Sequence, residues 1–229
     1  MSYIVKAFAT VGIIMLPSVL HAQTANSVYI DQIGSNSTIS MTQTGSNNRL
    51  GTSSQSTILN GNSQVITISQ IGANNVGNFN IQGNSSNVTS NINGNLNTVT
   101  VDCGTTPSSS CNDTLIEANA TGNNNTINTT VGAKSTAKIN INGDTNIAGI
   151  NSSTTNLLGA KSQIDITGGN SNTVNVNQSG PAGANGFDAK IDITGGSNTV
   201  GVTQNGTIDS TVNIKTVGSS NHITVVTGN

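Results

Sequence analysis

The chain has 229 residues and a formal net charge of −2, with 7% charged and 2% aromatic residues. Ordinary globular proteins carry about 25% charged residues, so this composition excludes a nucleic-acid binder, which needs a basic surface, and disorder driven by charge repulsion. An abundance of Asn, Gly, Ser, Thr and β-branched residues is typical instead of stacked β-strands with polar side-chain ladders.

The N-terminus has the pattern of a secretory signal peptide over residues 1–22. Lys6 supplies the positive charge, residues 7–19 are mostly apolar, and Ala22 is the small residue at the expected cleavage position. The apolar run is shorter than the roughly 20 residues that a membrane-spanning helix needs. We therefore predict an exported protein, residues 23–229, without a transmembrane segment in the mature chain.

Short runs of alternating apolar and polar residues follow the signal peptide. Several of them end in Gln-x-Gly, as at 28–34, and Gly72, Gly83 and Gly94 are spaced 11 residues apart. Strict alternation over four to six residues predicts β-strands with one inward and one outward face. Two such strands with their Gly/Asn turns make a unit of about 22 residues.

An insertion near 102–120 interrupts these units. Cys103 and Cys111 flank a Gly/Thr/Pro/Ser loop, and in an exported chain two such cysteines usually form a disulfide. A metal site would need more ligands at close spacing, and His222 is the only histidine after the signal peptide. We therefore predict a disulfide and no metal or cofactor.

The alternating runs return in the second half, with a Pro/Gly/Ala/Asn loop near 180–187. The same residue types recur at the same phase of each unit, which a β-sandwich does not require. No single unit can bury its apolar face alone, whereas stacked units can. The predicted fold is an all-β solenoid of stacked strand–turn–strand coils with about 22 residues per coil, spanning 23–229.

Alternation also assigns faces. The glutamines and the asparagines that begin strands share the inward parity, where an amide can donate to the coil above and accept from the coil below. The charged residues Asp165, Lys190, Asp192 and Lys215 have the outward parity. The alternative that the asparagines simply fill turns stays open. The predicted ladder residues are Gln32, Gln43, Gln70, Gln82, Gln178, Gln204, Asn172, Asn198 and Asn221.

Candidate catalytic groups do not assemble from this sequence. With one histidine in the mature chain and no plausible nucleophile–base pair, we do not expect an enzyme. The glycine-rich stretches lack the strand–loop–helix context of a dinucleotide site. No catalytic residues are therefore predicted.

An alternating strand that ends in Gln-x-Gly and is followed by Asn and a second such strand resembles the curlin repeat, over about 26–94 and again over 160–229. The resemblance implies secreted subunits of curli-type functional amyloid at the bacterial cell surface, which self-associate into fibres of the biofilm matrix and of cell adhesion. It also implies a nucleator subunit and an outer-membrane secretion channel as partners. The alternative is a monomeric surface-binding β-solenoid of the adhesin or ice-binding type, with outward Thr and Asn arrays.

Overall fold

The computed structural model describes residues 25–53, 57–102, 111–154, 159–180 and 186–228, and these residues form β-strands, turns and loops without a helix. The strands are β1 (Ser27–Val28), β2 (Ile30–Ile33), β3 (Thr38–Ser46), β4 (Arg49–Leu50), β5 (Thr57–Asn60), β6 (Val65–Ala73), β7 (Val76–Gln82), β8 (Asn87–Asn93), β9 (Thr98–Asp102), β10 (Leu115–Thr121), β11 (Thr126–Thr130), β12 (Thr136–Asn142), β13 (Ile147–Thr154), β14 (Ala160–Thr167), β15 (Thr173–Gly180), β16 (Phe187–Thr194), β17 (Thr199–Asn205), β18 (Ser210–Val217) and β19 (His222–Gly228).

The strands form two parallel sheets whose order follows the chain. Sheet A has the order β1-β4-β7-β9-β11-β13-β15-β17-β19, with β2 and β5 beside this path, and sheet B has the order β3-β6-β8-β10-β12-β14-β16-β18. The chain therefore passes from sheet A to sheet B and back in every turn and stacks each turn on the one before it. This is a β-solenoid, as the sequence predicts.

The core lies between the two sheets and consists of the inward residues of every strand. In sheet B, for example, Ile116 stacks in register on Val88 and beneath Ala137, and all three are buried. Because each turn is too thin to bury its own apolar face, the stacking of neighbouring turns removes these side chains from water. Val and Ile suit this arrangement because β-branched side chains pack well on a pleated surface.

The length of a turn differs from the predicted 22 residues. Equivalent asparagines of successive turns are separated by 27, 22, 28, 21, 26, 26 and 23 residues. Several of the extra residues lie where the chain leaves sheet A for sheet B, whereas residues 51–56 fall between β4 and β5 of sheet A and Gly168 follows β14 of sheet B. The predicted length applies only to turns without such an insertion.

The predicted insertions also have sharper limits in the structure. The insertion near 102–120 is shorter than expected, because β10 already begins at Leu115 and pairs with β8 and β12 along its whole length. The loop near 180–187 falls between the end of β15 at Gly180 and the start of β16 at Phe187. A further lengthening of the path, between Thr154 and Ala160, was not predicted.

Candidate functional site

A four-residue turn of the form Gly-x-x-Asn leads from every strand of sheet B to the next strand of sheet A. In each turn the third residue has a left-handed backbone, with φ between 54° and 60°, which reverses the chain within a few residues and directs the following Asn into the interior. We call these turns the asparagine arcs, residues 45–48, 72–75, 94–97, 122–125, 143–146, 169–172, 195–198 and 218–221.

The last residues of the asparagine arcs stack in one column along the solenoid. In each pair of neighbours from Asn48 to Asn221, the side-chain Oδ1 accepts a hydrogen bond from Nδ2 of the next asparagine at 2.9–3.2 Å. The same Oδ1 also accepts from the backbone N–H of that next residue. The asparagine column consists of Asn26, Asn48, Asn75, Asn97, Asn125, Asn146, Asn172, Asn198 and Asn221.

Each amide of the column also ties its own turn to the next. From Asn48 to Asn198, Nδ2 donates to the carbonyl oxygen of the glycine that begins the following arc, at 2.7–3.0 Å. Asn26 makes the same contact to Gly45 at 3.1 Å, and its Oδ1 accepts from the N–H of Asn48 at 2.9 Å. The buried amides are therefore satisfied only because another turn lies above and below.

The predicted glutamines form two separate pairs rather than one ladder. Nε2 of Gln43 donates to Oε1 of Gln70 at 2.6 Å in sheet B, and Nε2 of Gln178 donates to Oε1 of Gln204 at 2.8 Å in sheet A. Gln70, Gln178 and Gln204 are buried. Beyond Gln70 the same position is taken by Ile92, so the pair ends after two turns.

Gln32 and Gln82 do not stack on another glutamine, which corrects the prediction for both. Gln32 lies in register with Leu59, and Gln82 lies in register with Asn60 and donates to Oδ1 of Asn80 in its own strand at 3.4 Å. Gln82 is the last residue of β7, where the chain turns towards sheet B, and strand parity no longer determines the direction of its side chain.

The turns on the opposite side of the solenoid carry no uniform amide column. The residues before β3, β6, β8, β10 and β12 are Ser37, Gln64, Ser86, Thr114 and Ser135. Four of these side chains nevertheless make the same kind of contact: each donates to a backbone carbonyl of the following turn, at Gly61, Gly83, Cys111 and Gly132. The residue before each of the five has a left-handed backbone, with φ between 54° and 57°. Insertions are not confined to this side, since residues 51–56 fall between β4 and β5 of sheet A and Gly168 directly precedes an asparagine arc.

The structure describes one of the two cysteines that are predicted to form a disulfide. Cys111 is buried and disulfide-bonded, and its backbone N–H donates to the carbonyl of Gln82 in the preceding turn at 3.0 Å. Cys103 lies outside the described residues. The polypeptide at Cys111 therefore keeps the stacking of the solenoid directly after the insertion.

Sequence reasoning identified Asn172, Asn198 and Asn221 but missed the earlier members of the column. Their signal is a glycine three residues before an asparagine that directly precedes an alternating strand, which holds from Asn48 onwards. A search at a fixed spacing of 22 residues loses this signal because turn lengths vary. The column is thus the most regular feature of the molecule and the candidate site for contacts between turns.

Charged side chains occupy the outward positions. Nζ of Lys215 lies 3.7 Å from Oδ2 of Asp192, and Nδ2 of Asn140 donates to Oδ1 of Asp165 at 3.2 Å. Within the described ranges, no group of three His, Cys, Asp or Glu side chains is placed to hold a metal ion. Nor does any helix there have the length and apolar character to cross a membrane.

A comparison with known families gives one match, in the first turn. Residues 24–45 match the model of the curlin associated repeat, and this segment contains Asn26, β1, β2 and all of β3 except its last residue. No curated protein and no solved structure matches the chain significantly. The first turn of the chain is therefore similar to one curlin repeat, in agreement with the predicted resemblance over this segment.

Proposed function

We propose that this protein is a secreted structural subunit that polymerises into curli-like amyloid fibres at the bacterial cell surface, in the biofilm matrix and in adhesion. The observation that carries this proposal concerns both ends of the described solenoid. Residues there lack the stacking contacts that equivalent residues make with a neighbouring turn in the interior. The proposal also includes a nucleator subunit and an outer-membrane secretion channel as partners, and for these it relies on the curlin family alone. Residues 1–22, which we predict to direct export, lie outside the described residues.

The apolar core is only partly covered at both ends. Ile39 and Met41 of β3 are partly exposed, although Ile66 and Ile68, their register partners in the next turn, are buried. At the other end Ile223 and Val225 of β19 are partly exposed, beside the buried Val200 and Val202 of β17. An unpaired strand edge with exposed apolar residues is a template for another chain.

The asparagine column has complementary polar ends. Inside the solenoid every Oδ1 accepts from the next turn, but within the described residues no donor reaches Oδ1 of Asn221. The backbone N–H of Asn48 donates to Oδ1 of Asn26. At the opposite end of the solenoid, the N–H of Asn26 is the equivalent donor towards a preceding turn. Asn26 of a second copy, stacked on Asn221, would extend the column without a change of chemistry. Such a heterologous contact does not close and builds a filament.

The glycine of the last arc has space for a further turn. A Cβ on Gly195 would overlap the carbonyl oxygen of Gly218, the corresponding atom of the next turn. At Gly218 the nearest atom is Nδ2 of Asn221, 3.8 Å away. The space that a following turn would need is therefore open at this end.

The experiment follows elongation of residues 23–229 from preformed seeds by thioflavin fluorescence, with the variant Val225→Lys. A lysine at this inward position would be buried without a partner once a second copy docks, so we expect elongation to be slower by about tenfold or more, equivalent to about 1.4 kcal/mol. The control is Asn213→Lys, which places the same charge on an outward position of the neighbouring strand β18 and should elongate like the wild type. Equal elongation of all three proteins, or a wild type that stays monomeric at high concentration, contradicts the proposal.

A further inference from the structure

The outward faces of the two sheets differ in charge over the C-terminal half of the solenoid. We call the outward residues of β11, β13, β15, β17 and β19 the neutral face: these strands contain no Asp, Glu, Lys or Arg, and their titratable side chain is that of His222. We call the outward residues of β10, β12, β14, β16 and β18 the charged face. It includes Glu117, Lys138, Lys161, Asp165, Asp188, Lys190, Asp192 and Lys215.

The neutral face has a notch at Gly201. In one outward row, Asn128, Gly149, Asn175, Gly201 and Thr224 follow one another in register. A Cβ on Gly201 would meet no atom within 4 Å, and Gly201 is not among the residues with positive φ. Glycine weakens a strand interior and often marks a place where another molecule approaches closely, and no atom of the described residues occupies the space beside Gly201.

We propose that the neutral face is a lateral association surface, which packs against the neutral face of a second copy of this chain in a neighbouring fibre. The inference rests on the proposed fibre function. When a surface packs against a second copy of itself, each charge on it loses water, which is unfavourable unless an opposite charge lies in place across the contact. The neutral face avoids this, and its exposed apolar side chains Ile147 and Val226 would be covered.

The charged face is unsuited to the same contact. Asp165 and Asp192 are adjacent in register on neighbouring strands, and Lys215 pairs with Asp192 at 3.7 Å. Burial of these groups against a copy of themselves would remove water from several ions at once, which is strongly unfavourable. Charges on one face thus direct lateral contact to the other, as gatekeeper residues do.

The size of the neutral face explains why fibres, rather than single subunits, would associate. Five strands about 4.8 Å apart and about 20 Å long offer roughly 500 Å² per copy. Stable interfaces between two proteins bury about 800 Å² per partner, so a pair of subunits would not stay together. A fibre repeats the face with every subunit, and the repeated weak contacts add up.

The experiment compares two matched double variants of residues 23–229. Asn128→Lys with Asn175→Lys places two charges two turns apart on the neutral face. The control, Asn91→Lys with Asn140→Lys, has the same spacing on sheet B, whose row contains Asp165 and Asp192. Fibre width is measured by electron microscopy and elongation by seeded thioflavin fluorescence. We expect N128K/N175K to give single filaments, because bundling depends on the repeated lateral contact. Its elongation should stay within about twofold of the wild type, because stacking at the ends does not depend on that contact. The control should bundle like the wild type.

A steric variant tests the same surface without a charge. Gly201→Ala has free space in the subunit and should leave its thermal unfolding unchanged or raised, but a methyl group in the notch should reduce bundling. Retained stability together with fewer bundles supports the assignment.

Several results would overturn the inference. Normal bundling of both N128K/N175K and G201A, with elongation intact, contradicts the lateral surface and leaves the fibre function standing. A wild type that forms no fibres contradicts the proposed function and this inference together. If the wild-type monomer arrests the growth of ice crystals and N128K/N175K does not, the neutral face binds a crystalline surface instead.

Discussion

At the scale of single residues, the asparagine column performs several tasks with one side chain. Asn125 is fully buried; its Nδ2 donates to Gly143 and to Asn97, and its Oδ1 accepts from Asn146. Aspartate lacks the donors and serine lacks the length to make all of these contacts, because only a primary amide carries both donors and an acceptor on a short stem. The uniformity of the column follows from this requirement.

Replacement of Asn125 by Ala tests the column at its centre. The carbonyl of Gly143 and the donors of Asn146 would lose their buried partner, and each such group costs about 1–3 kcal/mol. We therefore expect the free energy of unfolding to fall by about 3 kcal/mol or more in urea denaturation. Asn128→Ala, three residues further along the chain and exposed, should change it by about 0.5 kcal/mol or less. Equal effects of the two variants would mean that the column does not stabilise the fold.

At the scale of structural elements, turns on both edges of the solenoid are held by close stacking. In the asparagine arcs a glycine passes directly over the glycine of the next turn, as Gly122 does over Gly143, and on the opposite edge Gly61 passes over Gly83 in the same way. Additional residues lie outside these stacked turns, as between Leu50 and Thr57 in sheet A and between Asp102 and Cys111. Variation in length is therefore accommodated beside the stacked turns and not within them.

Two glycines of equal conformation separate backbone strain from stacking. Gly122 and Gly218 have φ values of 117° and 109°, so alanine is strained at either position, by about 1–3 kcal/mol. Only at Gly122 would the new Cβ also overlap a neighbouring turn, at the carbonyl of Gly143. We expect Gly122→Ala to lower the free energy of unfolding by several kcal/mol more than Gly218→Ala.

For fibre assembly we expect an effect at the glycine whose replacement is the less harmful to folding. Gly218→Ala should slow seeded elongation, because the Cβ would occupy the space of an incoming turn. A Gly218→Ala protein that elongates at the wild-type rate would argue against stacking at this end.

The sequence was sufficient for the fold because alternation and Gly/Asn turns recur in every unit. It was less informative about turn length, since insertions change the spacing without changing the strands. Gln82 shows that the register of a site residue is equally hard to predict. Its sequence context resembles the Gln-x-Gly context of Gln70. Its partner is nevertheless Asn60, because β5, which follows residues 51–56, sets the register. The register of Gln43 with Gln70 likewise depends on a 27-residue separation that no fixed period predicts.

At the scale of the whole molecule, the solenoid offers different contact surfaces along its axis and across it. Along its axis, partly exposed core residues and the unfilled ends of the asparagine column favour addition of further copies. Across its axis, the charged and neutral faces favour contact on one side only. Growth in length and growth in width would therefore depend on separate sets of residues, which V225K and N128K/N175K address independently.

Mass per unit length of the thinnest fibres tests the central claim, that whole solenoids stack turn on turn. The eight strands of sheet B, at about 4.8 Å per layer, span about 40 Å per subunit. A chain of 23.1 kDa before removal of residues 1–22 then gives roughly 0.5 kDa per Å of fibre. Scanning transmission electron microscopy should find this value. One subunit in every 4.8 Å layer, and hence a value about eight times higher, would contradict the stacked solenoid.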